Sequence, residues 1–314
     1  MIIPAWNFME IIMFKPVHYI IQVIAFLIFL AVPGCFSSPS GDDNGNTSII
    51  ADHNVARLAV LQSIPDSAIN SAKSKLHIAY GHTSHGSQIT DGMTGLAAWK
   101  GSKYAYSSGG ASGALDLRDF YGNFGGSGMS IDADDLGAPD RTAWAAATRE
   151  YLNANSDVNV IVWSWCGQAA TTTADIDIYL NLMEQLISDY PGVIFIFMTG
   201  HLNGTGVNGQ LNLANEHIRK HCRAHGRWLF DFADIESYDP DGNYYLDRGA
   251  DDACNYDSDG NGSLESNWAT AWQSSHTENV DWYSCSSAHS QPLNANMKAY
   301  AFWWLMARIA GWGG

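Results

Sequence analysis

The sequence predicts an α/β protein in which helices cover a central parallel sheet of five strands. Short apolar runs, each followed by a polar or glycine-rich turn, alternate along the chain with segments of helical period. Elements that alternate in this way build a parallel sheet with helices on its faces. The five predicted strands are residues 76–80, 115–118, 158–163, 193–198 and 228–232.

Two of these runs define the expected centre of the sheet. Residues 158–163 and 193–198 are the most hydrophobic, and strands that are buried on both faces have nearly continuous apolar sequences. Residues 115–118 form the least apolar run, since they include Asp116 and Arg118. We therefore expect the third and fourth strands to be central.

Helices are predicted between the strands from their periodicity and end signals. Asp and Thr are favoured as N-terminal caps, Gly follows many helix ends, and Pro suits a first turn. The aromatic residues of the last helix are expected to belong to the core rather than to contact a ligand. The predicted helices are 141–153 capped by Asp140, 174–189 capped by Thr173, 210–224 before Gly226, and a last helix from Pro292 to Gly311.

The composition excludes several classes of protein. The chain has 32 Asp and Glu against 16 Lys and Arg, and its net charge of −16 has the wrong sign for binding phosphates of nucleic acid. Apolar residues make up 46% of the chain, too many for a disordered protein, and 15% are charged, too few for a coiled coil. We expect a monomer without a nucleic-acid partner.

Residues 1–35 are typical of a secretory leader that ends in a candidate lipobox. Lys15 and His18 precede the apolar run 19–32, and Gly34-Cys35 follows it. That run of about 14 residues is shorter than the roughly 20 that a membrane-spanning helix needs. Two outcomes stay open: a bacterial envelope lipoprotein anchored through Cys35, or a secreted protein cut nearby. In the first case only the lipid anchor contacts the membrane.

The leader is followed by a predicted flexible tether at 36–50 and one folded domain at 51–314. An acidic insertion at about 234–288 has no clear period, and long segments of this kind are usually functional or held by a crosslink or a metal. In an oxidising compartment we expect a Cys254–Cys285 disulfide, because both residues lie in this insertion, which lacks an evident core. For Cys166, a free thiol and a bond to Cys222 both stay open.

Candidate catalytic groups follow the predicted strands. Ligands of open parallel sheets bind beyond the carboxyl ends of the strands. Ser84 follows the first strand, where backbone N–H groups and a helix N-terminus would face its hydroxyl. A Ser nucleophile needs a base, and His289, just before the last helix, could reach the same edge. The alternatives are a Ser that only caps a helix and a surface His.

These residues resemble an SGNH (GDSL-like) hydrolase over about residues 75–312. Gly81-His82-Thr83-Ser84-His85-Gly86 is similar to the G-H-x-S-x-G start of one divergent branch. The resemblance implies a flavodoxin-like, three-layer α/β/α fold, Ser84 as nucleophile and His289 as base. It further implies oxyanion donors, which are assigned to the backbone of Ser84, to Gly137 and, because the usual G-x-N-D block is absent, to Gln168.

The sequence departs from that family at the expected Asp, since Ser286 stands three residues before His289. A Ser–His dyad, oriented by a backbone carbonyl or by a distant acid such as Asp281, is the resulting hypothesis. The remaining polar residues at the strand ends are interpreted as substrate-binding groups, and an alternative is that the four His residues converge on zinc or copper. The predicted substrate-binding residues are His82, His85, His201 and Asn203. The metal alternative takes His82, His85, His201 and His289 as ligands.

A calcium loop is predicted within the acidic insertion. Oxygen donors at positions one, three, five and nine, with Gly at position six, match an EF-hand loop, but position twelve is Trp268 rather than Glu. A calcium-bound loop and a solvated acidic turn both remain open. The candidate ligands are Asp257, Asp259, Asn261, Ser263 and Glu265.

The sequence thus favours a secreted or lipid-anchored serine esterase that removes acyl groups, such as acetyl, from carbohydrate or another small molecule. Ser84 would attack the carbonyl, and His289 would act as base and then acid. No cofactor is expected for catalysis, and calcium would be structural. The alternative is a catalytically inactive protein of the same fold that binds glycan or a partner.

Overall fold

A computed structural model describes residues 47–314, so that the predicted leader, the lipobox and most of the tether lie outside the described residues. All strand pairs of the main sheet are parallel, and the strand order is β1-β7-β6-β5-β2-β4-β3. The seven strands are β1 Ile49–Ala51, β2 His77–His82, β3 Tyr106–Ser107, β4 Leu115–Tyr121, β5 Val160–Trp163, β6 Ile194–Met198 and β7 Trp228–Phe230.

All five predicted strands form, as β2, β4, β5, β6 and β7. In chain order they lie in the sheet as 2-1-3-4-5, which is the flavodoxin-like order. The third and fourth, β5 and β6, lie inside the sheet as predicted. Two edge strands, β1 and β3, were not predicted because runs of three and two residues are too short to show a period.

Helices cover both faces of the sheet, which confirms the three-layer α/β/α arrangement. Val160 and Val162 of β5 pack in one apolar cluster with α2, α3 and α9, whereas Ile161 and Trp163 pack in the other with α4, α5 and α6. The helices are α1 Leu58–Ser63, α2 Asp66–Lys75, α3 Ser87–Lys100, α4 Ala143–Ala154, α5 Thr173–Asp189, α6 Gln210–His225, α7 Phe232–Glu236, α8 Trp268–Ser275 and α9 Pro292–Ile309.

The last helix, α9, is buried on all sides from Leu293 to Ala307, which confirms that its aromatic residues belong to the core. It lies so close to α3 that a Cβ atom at Gly92 would meet the carbonyl oxygen of Ala295 at 2.1 Å. Glycine at position 92 is therefore required by helix packing. No helix among residues 47–314 is long and apolar enough to cross a membrane.

The predicted helix ends are close to those observed. Asp140 accepts hydrogen bonds from the N–H groups of Thr142 and Ala143 at the start of α4. The cap of α5 is Thr172 rather than Thr173, because the Thr172 hydroxyl accepts the Asp175 N–H. Gly226 ends α6 in the left-handed conformation, as predicted.

The acidic insertion differs from its prediction in two respects. It has a small apolar cluster of its own, in which Leu246 and Ala250 pack with Leu202 and Ala233, and its short strands β8 Asn255–Tyr256 and β9 Ser266–Asn267 pair antiparallel. The predicted Cys254–Cys285 disulfide is absent, because all four described cysteines are free thiols. Cys254 Sγ lies 3.3 Å from Ser290 Oγ, whereas Cys285 Sγ accepts a hydrogen bond from the Asn296 amide.

Candidate active site

Polar side chains meet where β2 and β5 end, the point at which the order of the sheet reverses. Gly81 of β2 pairs with Trp163 of β5, so that residues 83–86 and 164–168 leave the sheet side by side. In open α/β sheets, ligands bind in the crevice at such a reversal. The topology therefore selects these two loops as the candidate active site.

Cys166, His85 and Asp252 form a hydrogen-bonded triad in this crevice. His85 Nδ1 lies 3.2 Å from Cys166 Sγ, and His85 Nε2 lies 2.8 Å from Asp252 Oδ2. Cys166 follows β5, His85 precedes α3, and Asp252 comes from the acidic insertion. A nucleophile, an imidazole and a carboxylate that orients the imidazole are the three parts of a catalytic triad.

The electrostatics of the triad favour a thiolate paired with an imidazolium. The hydrogen bond from His85, opposed by burial and assisted by the Ser84 hydroxyl, lowers the pKa of Cys166 to about 7. Burial opposes the charged imidazole, but the bonds to Asp252 and Cys166 raise the pKa of His85 to about 9. Burial likewise opposes ionisation of Asp252, yet its bond to His85 lowers the pKa of that carboxyl. Between about pH 7 and pH 9 the thiol is therefore mainly ionised and His85 is mainly protonated.

Two further imidazoles stack on the faces of His85. The ring centroid of His201 lies 3.7 Å away at an interplanar angle of 3°, and that of His289 lies 4.4 Å away at 18°. His201 Nδ1 donates to the Leu202 carbonyl, and its Nε2 accepts the Gly167 N–H. Burial lowers the pKa of His201, so that a neutral ring faces the cationic one. The neutral ring of His201 therefore adds no charge repulsion to protonated His85.

The two predicted catalytic residues, Ser84 and His289, both lie at this site but do not contact each other through a hydrogen bond among the described residues. Ser84 Oγ lies 3.5 Å from Cys166 Sγ, and His289 contacts the ring of His85. His289 is exposed and has a φ of 61°, in the left-handed region. The imidazole that contacts a nucleophile is therefore His85, which was predicted to bind substrate.

The two predicted oxyanion donors outside Ser84 are bonded to Asp135. The Gly137 N–H donates to Asp135 Oδ1 at 2.9 Å, and Gln168 Nε2 donates to Asp135 Oδ2 at 3.4 Å. Gln168 Oε1 also accepts the Cys166 N–H at 3.0 Å. Gly137 and Gln168 therefore hold the loop of Cys166 in place.

Backbone amides beside the nucleophile remain as candidate donors. Within residues 47–314 the N–H groups of Ser84 and His85 donate no hydrogen bond, and they lie just before the first turn of α3. Amides at a helix start carry a partial positive charge, which suits a developing oxyanion.

His82 and Asn203, also predicted to bind substrate, have local partners. His82 is buried, and its ring contacts the Asp119 carboxylate and the Thr83 carbonyl. Asn203 Oδ1 accepts from the N–H and the hydroxyl of Thr205, as in a tight turn.

A buried ion pair lies beneath the imidazole stack and holds the loops on both sides of it. Lys298 Nζ lies 2.6 Å from Glu236 Oε1, and both side chains are fully buried. Glu236 Oε2 accepts the N–H of Leu202, next to His201. Lys298 also donates to Gln88, whose amide donates to the Ala288 carbonyl beside His289. The same network therefore positions the loop of His201 and the loop of His289, the two imidazoles that stack on His85.

Two groups of potential metal ligands correspond to the sequence predictions. In the predicted calcium loop, ligand atoms of Asp257, Asp259 and Glu265 lie within 4.8 Å of one another, whereas the Asn261 side chain accepts the Ser263 N–H. At the crevice, His85 and His289 bring ring nitrogens within 4.8 Å of Asp252 and of each other. His82, an alternative ligand there, is bonded to Asp119 instead.

Sequence reasoning missed the roles of Cys166 and Asp252. Cys166 follows the third predicted strand, and its position beside Gly167, at the same edge as Ser84, is the signal that the sequence offers. Asp252 had no distinguishing signal, because it is one of eight acidic residues between Asp239 and Glu265.

Comparisons with known proteins give no match to a family model, a curated protein or a solved structure.

Proposed function

We propose that this protein is an acyl hydrolase with Cys166 as its nucleophile, His85 as its general acid and base, and Asp252 as the group that orients His85. The proposal depends on one observation: His85 bridges the Cys166 thiol at 3.2 Å and the Asp252 carboxylate at 2.8 Å. This reaction class agrees with the esterase that the sequence favours. The nucleophile differs from the predicted Ser84.

The reaction begins with attack of the Cys166 thiolate on the carbonyl carbon of an ester, which forms a tetrahedral oxyanion. The N–H groups of Ser84 and His85 are the proposed donors to that oxygen. The intermediate expels the alkoxide, which takes the proton from His85 Nδ1 and leaves as the alcohol, and Cys166 retains the acyl group as a thioester. His85, now neutral, accepts a proton from water, whose oxygen attacks the thioester. The carboxylic acid leaves and the thiolate–imidazolium pair is restored.

Cys166 is favoured over Ser84 for a physical reason. A hydroxyl is a weak nucleophile unless a base removes its proton, and among the described residues no imidazole nitrogen lies within hydrogen-bond distance of Ser84 Oγ. The thiol of Cys166 ionises near neutral pH because of His85. Ser84 instead supplies a hydrogen bond to the thiolate.

Substrate and compartment follow from the sequence alone. An acetylated or otherwise acylated carbohydrate at a bacterial surface is the proposed substrate, because the leader indicates export. The SGNH resemblance stays a prediction, and the order of the strands agrees with it.

A non-catalytic protein that binds glycan or a partner in the same crevice is the second candidate. It is favoured by the bonds that Gly137 and Gln168 make to Asp135, since these bonds engage the Gly137 N–H and one of the two N–H groups of the Gln168 amide. The lowered pKa of Cys166 opposes it, because reactive thiols are costly to keep in a simple binding site.

Two covalent probes distinguish these possibilities. The mature protein is treated separately with iodoacetamide and with a fluorophosphonate, and labelled residues are located by mass spectrometry alongside assays of p-nitrophenyl acetate hydrolysis. We expect iodoacetamide to label Cys166 and to abolish hydrolysis. Labelling of Ser84 by the fluorophosphonate with equal loss of hydrolysis would assign the reaction to Ser84. If the protein hydrolyses neither short esters nor short thioesters, the non-catalytic binding protein becomes the favoured candidate.

A further inference from the structure

A second cluster of metal-ligating side chains lies on the outer surface of α5 and α6, apart from the triad. His221 and His225 are four residues apart on α6, which places them on one face of the helix. Their ring centroids are 4.2 Å apart. Glu184 of the neighbouring helix α5 brings its Oε1 atom to 2.8 Å from His221 Nε2.

We propose that Glu184, His221 and His225 form a site for a borderline divalent metal, with Zn²⁺ as the ion to test. One ligand atom from each residue lies within 4.8 Å of the others. Zinc binds imidazole nitrogen and carboxylate oxygen at about 2.0–2.2 Å in a tetrahedron, so its ligand atoms lie about 3.4 Å apart. Small side-chain rotations therefore suffice, and a water would complete the fourth position.

The hydrogen bonds around the cluster suit metal binding. His225 Nδ1 donates to the His221 carbonyl at 2.9 Å, which fixes the orientation of the ring on α6. Arg227 donates to both oxygens of Glu184, and it can keep Oε2 while Oε1 turns to the metal. Outer partners of this kind fix the orientation of ligating carboxylates. The guanidinium charge weakens cation binding, so we expect moderate rather than very tight affinity.

The partial exposure of the cluster makes it accessible to a metal from solution. The His221 side chain is 16% exposed and that of Glu184 27% exposed, and His225 lies on the surface. A metal here would link α5 to α6, because its ligands come from both helices. The expected consequence is a higher melting temperature when zinc is bound.

Zinc titration of the untagged mature protein tests the site. The Cys166→Ser/His289→Phe variant serves as background, because Cys166 and the group of His85, Asp252 and His289 could also bind zinc. An excess of calcium in the buffer competes with zinc for the acidic loop. We expect one zinc equivalent by calorimetry, and a loss of at least about tenfold in affinity for His221→Asn and for His225→Asn. His217→Asn is the matched control, since His217 is also on α6 but pairs with Asp177.

Unchanged zinc affinity in the His221→Asn/His225→Asn double variant would overturn the proposal, and so would an equal loss in His217→Asn. Melting curves in chelator establish that the variants fold. If the double variant does not fold, the Cu²⁺ spectrum of the background protein decides. Electron paramagnetic resonance should then show two coordinated imidazoles that are lost in Glu184→Gln/His225→Gln, and spectra that are identical in the two proteins would exclude the site.

Discussion

Cys166 and Cys254 have the same side chain, but their burial, their hydrogen-bond partners and the pKa values of their thiols differ. Cys166 is half-buried at the crevice, and its hydrogen bond with His85 lowers its pKa to about 7. Cys254 is fully buried among the acidic insertion and α9, and burial raises its pKa to about 12, although its hydrogen bond with Ser290 opposes this shift. An imidazole neighbour, rather than the thiol itself, decides which cysteine can react.

The loop of Cys166 and the segment around Cys254 are also held in place by different interactions. The loop of Cys166 is fixed by Gln168 and Asp135, and its nucleophile stays accessible. Leu246 and Ala250, just before Cys254, pack in the small apolar cluster of the insertion, whereas the Cys254 thiol packs in the main core with α9. A cysteine count cannot distinguish these roles, since both thiols are free.

The largest expected effect is on catalysis. Cys166→Ala should reduce ester hydrolysis on the order of 10³-fold or more, because the covalent intermediate cannot form. Cys254→Ala should lower the melting temperature through its cavity but leave kcat/KM within about twofold, since the Cys254 thiol contacts Ser290 and forms no hydrogen bond with the described side chains of the triad. Hydrolysis of p-nitrophenyl acetate by purified variants measures both. Full activity of Cys166→Ala together with an inactive Ser84→Ala would reverse the assignment.

The second largest effect is the loss of kcat/KM in variants of His289, whose ring stacks on that of His85. His289→Phe keeps an aromatic face but has no nitrogen, so kcat/KM should fall by only a few-fold, by about 1 kcal/mol or less in the barrier. His289→Ala removes the stacked ring, so kcat/KM should be lower than in His289→Phe. A loss of on the order of 10²-fold or more in His289→Phe would instead identify His289 as the catalytic base.

The smallest effect concerns how the acidic insertion is stabilised without a disulfide. If Asp257, Asp259 and Glu265 bind calcium, a chelator should lower the melting temperature by about 2–4 °C for each kcal/mol of binding energy lost. Asp257→Asn/Asp259→Asn should remove the response. Identical melting curves with calcium and with chelator would show that the loop is only a solvated acidic turn.

Much of the fold could be predicted because its information is local. The apolar run of β5 and the periodicity of α6 up to Gly226 are patterns that neighbouring residues produce, and the structure confirms them. The two short edge strands could not be predicted, because β1 and β3 form only by pairing with β7 and β4.

The sequence predicts which polar side chains gather at this edge of the sheet, but it does not predict which of them pair. Pairing between side chains from distant segments leaves no local pattern in the sequence. Ser84, His85 and His201 were expected at strand ends and His289 just before the last helix, and the structure brings the four side chains together. The bond between His85 and Asp252 spans 167 residues of sequence. Only the folded insertion selects Asp252 from its acidic neighbours.

The most direct test of the central claim is the pH dependence of Cys166 alkylation. Iodoacetamide labelling, quantified by mass spectrometry in the mature protein and in His85→Ala, reports the fraction of thiolate at Cys166. The account predicts a midpoint near pH 7 in the unaltered protein, and a shift toward about 8.5, the value of an ordinary thiol, in His85→Ala. A midpoint near 8.5 in both proteins would contradict the thiolate–imidazolium pair and with it the Cys166–His85–Asp252 triad.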